Sequence, residues 1–336
     1  MHAEPDFVAT SCPTDAERAA ILLSGRPKPS LMTKETAFIT VIIPTTATAN
    51  RRASLLNAIH SAGEQSGAAT KTLVVVNGQR FDPPLLDLLR LRQDLKVVLM
   101  QVADLPGALF LGRQLVETEF FCFLDDDDEL LPNGLATRLQ ALTECPDVAF
   151  VATNGYYRSQ GEDQVRMSDA DMVSADPLLA MTDKCWLASC GGLYRTSLVD
   201  VRSFADVPRF LEWTYLGLKL ASTRKMLFLD EPTFRIHDSE NSLSKSVDYR
   251  AGSVAALKAA LQLPLPPAVT HRLRIRLSAA HHVLAGDYLS ANELRLAWAH
   301  HLASLAQPGG VKYLLFSRRL IPFWPQSSSS SPASGP

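Results

Sequence analysis

The chain has 336 residues, 46% of them hydrophobic and 20% charged, with a formal net charge of −2. That balance suits one large or two modest globular domains and excludes fibrous and wholly disordered classes. It also leaves no global basic field for nucleic acid, so an anionic substrate must be held locally. Five cysteines, at positions 12, 122, 145, 185 and 190, form no CxxC pair. Such usage predicts reduced thiols and a cytoplasmic setting. No run approaches the roughly 20 apolar residues of a spanning helix, and the N-terminus lacks the basic-then-apolar pattern of a signal peptide.

Residues 1–37 mix Pro, Ser, Thr and charges without periodicity and are predicted to be a loosely ordered extension, with Met32 as an alternative start. From Phe38 the pattern becomes regular. "FITVIIPT" reads as a strand, "RRASLLNAIHSAG" as a helix with Leu55, Leu56 and Ile59 on one face, and "KTLVVVNG" as a second strand. A βαβ unit of this kind implies a parallel pair with a right-handed crossover. "PPLLDLLRLRQ" (helix), "LKVVLMQ" (strand), "GALFLGRQLVE" (helix) and "EFFCFLDD" (strand) continue the alternation, which predicts an α/β fold with a mostly parallel, doubly wound sheet flanked by helices. A helix after Pro132 and a strand through "VAFVATNGYYR" follow, and the acidic, weakly patterned stretch from Ser159 to Thr182 reads as loops. Beyond residue 247 the spacing predicts a C-terminal helical region reaching 325, built on "RAGSVAALKAALQL", "HRLRIRLSAAHHVLAGD" and "LSANELRLAWAHHLASL". The low-complexity end, 326–336, is predicted to be disordered.

The chemistry concentrates in "FLDDDDELLP". Phe120 to Leu124 form the short apolar run of a strand covered on both faces, and Asp125, Asp126, Asp127 and Asp128 stand at its carboxyl end, where open α/β sheets bind ligands. Four crowded carboxylates repel one another, a cost that a multivalent cation removes. Oxygen-only ligands suit Mg²⁺ or Mn²⁺ held by one or two carboxylates plus substrate phosphates. A solvated acidic loop is the alternative.

Six stretches in this order, "VIIPTTATANRR", "VVVNG", "GRQLVETEFFCFLDDDDELLP", "GGLYRTSLV", "LEWTYLGLKL" and "RIHDSENSLSKS", resemble the family 2 inverting nucleotide-sugar glycosyltransferases of the GT-A fold. The resemblance spans about Phe38 to Ser246, giving a domain over 38–247, and its C-terminal helices are similar to those of relatives that build bacterial surface polysaccharides. It implies a Rossmann-like nucleotide-binding half, a DxD metal motif, an acceptor half with a catalytic carboxylate, a nucleotide-sugar donor, and a glycan or lipid-linked acceptor.

Carried over residue by residue, the D-x-D-D pattern makes Asp127 the leading metal ligand and Asp128 the second, with Asp125 toward the ribose and Asp126 in the variable place. Pro44, Thr45, Asn50 and Arg51 fall where the nucleotide is met, with strand ending and helix capping as the alternative. Asn77 stands near the place where the family often has an acid for the base, a departure that leaves the nucleotide open. Arg113 resembles a basic residue upstream of the metal strand, either a diphosphate contact or a helix-surface ion pair. The family's acid pair before a tryptophan reads Leu211-Glu212 here, so Glu212 is the candidate base, with Trp213 on the sugar or acceptor face and Asp206 and Asp230 as fallback acids. His237 falls where relatives use a histidine to complete the metal shell or meet the diphosphate, with a surface loop histidine as the alternative, and Ser242, Ser244 and Lys245 follow it as a phosphate-covering loop.

Three other readings weaken on inspection. A dehalogenase-like phosphatase carries its D-x-D near the N-terminus followed by Gly-Thr, a sugar nucleotidyltransferase starts with a Gly-rich basic loop that "PTTATANRR" lacks, and an EF-hand needs a turn glycine where Leu130 stands. A catalytically inactive nucleotide-binding homologue is the remaining alternative. Finally, "GGVKYLLFSRRLIPFWP", residues 309–325, interleaves apolar and aromatic residues with Lys312, Arg318 and Arg319. The mixture suits peripheral contact with the inner face of the cytoplasmic membrane, and a helix docked on the catalytic domain is its alternative.

Overall fold

The computed structural model describes residues 38–238 and 247–321. The expected extension at 1–37, the loop residues Ser242, Ser244 and Lys245, and the tail lie outside the described residues.

Strand β1 (Phe38–Thr45), helix α1 (Arg52–Gly63) and strand β2 (Ala69–Asn77) make the predicted parallel βαβ unit, followed by α2 (Pro83–Leu91), β3 (Leu95–Met100), α3 (Leu105–Gln114) and β4 (Phe120–Phe123). Their pairing is parallel throughout, in the order β3-β2-β1-β4. Ile39, Val41, Ile42 and Ile43 of β1 and all of β4 are buried because helices cover both faces. Each large apolar side chain fully buried here contributes about 1.5–3 kcal/mol.

Past β4 the sheet changes character. The short β5 (Glu129–Leu130), α4 (Gly134–Glu144), β6 (Phe150–Ser159), β8 (Gly192–Arg195) and β9 (Met226–His237) extend it as β4-β8-β6-β9-β5. Here β8 runs antiparallel to both β4 and β6, β6 and β9 are parallel, and β5 is antiparallel to β9. The result is a nine-stranded mixed sheet.

Two expectations change. The acidic stretch read as loops contains β7 (Glu162–Val165), paired antiparallel with β6, and two short helices, α5 (Ala170–Ala175) and α6 (Pro177–Asp183). Met167, Val173 and Met181 are buried there, too widely spaced among charges to show a period. Secondly, "KMLFLD" and "PTFRIH" form one twelve-residue strand, β9. Pro232 interrupts the pattern, and it sits opposite Asn154 between two register shifts, the irregularity that lets a proline stay in a sheet.

After α7 (Glu212–Ala221) and β9 come α8 (Val247–Ala260), α9 (Pro267–Ser290) and α10 (Leu294–Leu305), then a 3₁₀ segment, Gly310–Leu320. These helices have no core of their own. Val254, Leu257, Leu273, Leu277 and Leu284 belong to the same buried cluster as Phe121, Phe123, Tyr194 and Leu216. The change near residue 247 is therefore one of secondary structure, with the apolar packing continuous across it. No helix among the described residues is long and apolar enough to cross a membrane.

Candidate active site

A cleft of about 260 Å³ opens at the carboxyl ends of β1, β2 and β4, lined by Pro44, Thr45, Thr46, Arg51, Asn77, Leu105, Asp125, Asp126 and Asp127. The sheet order dictates this place, because three parallel strands deliver their ends side by side. Six of the expected nucleotide-sugar residues thus meet here, together with the leading metal candidate.

The four aspartates separate by role. Asp127 accepts from Arg51 Nη1 at 2.6 Å. Asp126 accepts from the same nitrogen at 3.2 Å and from Thr45 Oγ1 at 2.5 Å, and Thr45 Oγ1 accepts in turn from the Ala47 amide at 2.9 Å. Asp125 accepts from Ser189 Oγ at 2.7 Å. Burial raises the Asp125 carboxyl above its ordinary range, the Ser189 bond opposes this, and the charges of Asp127, Asp126 and Glu212 raise it further. Burial likewise raises Asp126, against the Thr45 hydroxyl and Arg51. Arg51 is the cation set directly on the cluster, carried to it by the 3₁₀ turn Ala49–Arg51 that opens α1.

Asp128, expected as the second metal ligand, stands off the cleft lining. Its Oδ1 accepts from the His237 amide at 3.2 Å and its Oδ2 from Cys190 Sγ at 3.6 Å, so it clamps the loop to β9 and to the turn before β8. His237 is the last residue of β9, with its imidazole Nε2 3.5 Å from Glu129 Oε1, and it too stands apart from the cleft lining.

Other expected residues also fall outside. Arg113 is buried; its guanidinium donates to the Val199 and Thr196 carbonyls at 2.9 and 2.8 Å and covers the Phe121 ring, so it ties α3 to the loop after β8. Asn50 is exposed and accepts from Thr48 Oγ1. Trp213 packs edge-on against Phe123, 5.4 Å between centroids, as part of the fringe of the core. Asn77 lines the cleft, but its Oδ1 is engaged by the Asp104 amide at 2.7 Å, which fixes the start of α3 beside the nucleotide end.

Glu212 is the first residue of α7, and its Oε1 accepts from the Phe210 amide at 2.9 Å. Burial raises its carboxyl above the usual range, offset in part by backbone hydrogen bonds and Arg209. The turn before it is strained: Phe210 and Leu211, neither a glycine, have φ of 67° and 54°. Each such residue costs about 1–3 kcal/mol and persists only where packing dictates it, as happens at functional sites. Asp206 lies near Tyr215 and Lys219, and Asp230 accepts from Asn154 Nδ2 at 2.6 Å, so neither fallback acid faces the cleft.

Among the described residues no three His, Cys, Asp or Glu side chains converge into a complete cage. Mg²⁺ and Mn²⁺ bound through substrate need none, since one or two carboxylates plus phosphates suffice. Asp127 and Asp125 on the cleft wall, crowded by like charge, fit that requirement. Ser189, 64 residues from Asp125, carried no sequence signal because its role exists only through the contact.

A mixed α/β sheet with a carboxylate cleft at the switch from parallel to antiparallel pairing defines a GT-A type glycosyltransferase fold. Residues 40–194 match the family model described as Glycosyl transferase family 2. No curated protein matches the sequence. Among solved structures, Staphylococcus aureus TarS 1–349 in complex with UDP-GlcNAc aligns over 84% of this chain and 85% of that one, with a TM-score of 0.59 and 16% identity. At that identity the likeness concerns the fold. TarS 1–349 solved without a named ligand aligns at a TM-score of 0.48 and 14% identity, over 80% of this chain and 90% of that one.

Proposed function

We propose that this glycosyltransferase moves a sugar from a nucleoside-diphosphate donor to an acceptor hydroxyl with inversion, assisted by Mg²⁺ or Mn²⁺, in the assembly of a polysaccharide or other glycan. The observation that carries this reading is the pairing of two carboxylate sets: Asp125 and Asp127 on the cleft wall, and, off that lining at the start of α7, the buried Glu212, whose charge acts on Asp125. One set suits a cation on the leaving group, and the other suits proton removal from the acceptor.

The acceptor oxygen bonds to the anomeric carbon from the face opposite the diphosphate, and the bond from that carbon to the phosphate oxygen breaks. Glu212 takes the hydroxyl proton. Its raised pKa brings its basicity nearer neutrality, where a general base is most effective. Arg51 supplies positive charge beside the departing diphosphate, and Thr45 and Asn77 hold the nucleotide end of the cleft. Asp127 and Asp125 would hold a divalent ion, whose chemistry when bound would be Lewis-acid neutralisation of the leaving diphosphate.

The test is a panel of nucleotide sugars, beginning with UDP-GlcNAc because TarS is seen with it, assayed for release of nucleoside diphosphate with and without chelator. Release from at least one donor, abolished by chelator, is expected. Release that persists in excess chelator removes the metal from the reading.

We further propose an acceptor at the inner face of the cytoplasmic membrane. Tyr313 stacks on His282 at 3.9 Å, Phe316 packs against His282 and His301, and Leu320 is buried, so one face of the Gly310–Leu320 segment docks on α9 and α10. Val311, Leu314, Leu315 and Ile321 remain exposed beside Lys312, Arg318 and Arg319, and no acidic residue follows Glu293. Each basic residue near an anionic surface contributes about 1 kcal/mol. The full chain is expected to sediment with anionic but not neutral liposomes at low salt, and a chain ending at Pro308 is expected to stay in the supernatant. Equal sedimentation of both chains removes the segment from the reading.

A further inference from the structure

The strained turn that presents Glu212 is held from outside the family 2 match, by helix α8. The Phe210 ring is buried and meets the Tyr249 ring edge-to-face, with centroids 5.5 Å apart. One turn further along the same helix is Gly252. A Cβ built there would lie 1.9 Å from Phe210 Cδ2 and 2.6 Å from Cε2, so the ring rests directly on the helix backbone. Glycine inside a helix is unfavourable relative to alanine, and its presence follows from this close approach. The residue so gripped is the one whose left-handed backbone sets the turn and whose amide donates to Glu212 Oε1 at 2.9 Å. On its other side α8 is tied to α9 by the ion pair of Arg250 with Asp287 at 2.6 Å.

We propose that α8 is a positioning element of the transfer reaction: Tyr249 and Gly252 hold the Phe210 ring, and through the Phe210 amide they fix the Glu212 carboxylate in its working orientation. This rests on the reading of Glu212 as the base. The burial of Tyr249 and the nearness of Glu212, which together raise the phenol's pKa, agree with the placement. A helix that merely covers apolar surface would tolerate a methyl group at any exposed or half-exposed position with no effect on chemistry.

Gly252→Ala separates the two, because alanine favours the helix itself while evicting the ring. The expected result is a kcat at least tenfold lower, with unchanged donor KM and unchanged calorimetric affinity for UDP in Mg²⁺. In protein labelled with 5-fluorotryptophan, the ¹⁹F resonance of Trp213, next to Glu212, is expected to shift while that of Trp186 stays. Both effects should vanish in a Phe210→Gly background, where no ring remains to be displaced and the left-handed backbone is natural. Should Gly252→Ala not fold, Tyr249→Leu, which removes the ring contact and keeps apolar bulk, carries the same measurements. An unmoved Trp213 resonance with unchanged kcat, or an equal kcat loss in the Phe210→Gly background, overturns the proposal. Full transfer by Glu212→Gln alone would instead remove the base, while the Trp213 resonance still reports whether α8 holds the turn.

Discussion

Asp127→Ala is expected to lower turnover by roughly 10²–10³-fold while leaving the far-ultraviolet circular dichroism and the unfolding midpoint close to those of the parent chain. The size follows from the role: charge stabilisation at a leaving group is among the largest single contributions to catalysis, and one preorganised electrostatic partner is worth about 10²–10³-fold. The small structural effect follows from the environment. Asp127 lies on the cleft wall, and its side chain keeps 26% of its accessible surface beside a single arginine partner. Asp128→Ala is the contrasting case. Its carboxylate bridges the β9 amide of His237 and the Cys190 thiol, so its loss should lower the unfolding midpoint, with activity falling through the misplaced loop. Direct Mn²⁺ binding, read by electron paramagnetic resonance in the presence of UDP, should be lost in Asp127→Ala and retained in Asp128→Ala. Tight Mn²⁺ binding by Asp127→Ala would sink the assignment of this residue.

Much of the site was legible because the sequence announces strand ends. The apolar run Phe120–Leu124 followed at once by carboxylates could only be a covered strand emptying into a polar edge, and the parallel order β2-β1-β4 then places Asn77, Thr45 and Asp125 side by side. What failed was orientation within the run. Four identical aspartates in a turn give no mark of which of them face the cleft, and Asp125, Asp126 and Asp127 line it in succession. Asp128 and His237 stand off the cleft lining, joined by a hydrogen bond between residues 109 apart that no local pattern announces. Arg113 illustrates a second limit. A basic side chain near an acidic strand looks available, but its guanidinium is used up by two carbonyls of a loop more than 80 residues on. The acidic stretch containing β7, α5 and α6 escaped because its buried residues follow no single period and find their partners across the sheet.

Glu212→Gln is expected to lower the rate of transfer by ~10²–10⁴-fold, the usual worth of a general base, with donor affinity retained. Glutamine keeps the shape and can still accept from the Phe210 amide, so the strained turn survives and only basicity is lost. The pH profile distinguishes this from a packing defect. Burial favours the neutral carboxyl, which places the folded pKa of Glu212 above that of an ordinary glutamate. A base must be deprotonated to act, so the acidic limb of kcat in the parent should fall at a pH higher than a solvent-exposed glutamate would give, with activity rising as pH rises through it. In Glu212→Gln that limb should disappear or move, leaving a low and flatter profile. Asp125 also titrates upward of its ordinary range, but it remains in the variant, so a limb belonging to Asp125 would persist unchanged. Persistence of both the rate and the limb would mean that another group accepts the proton.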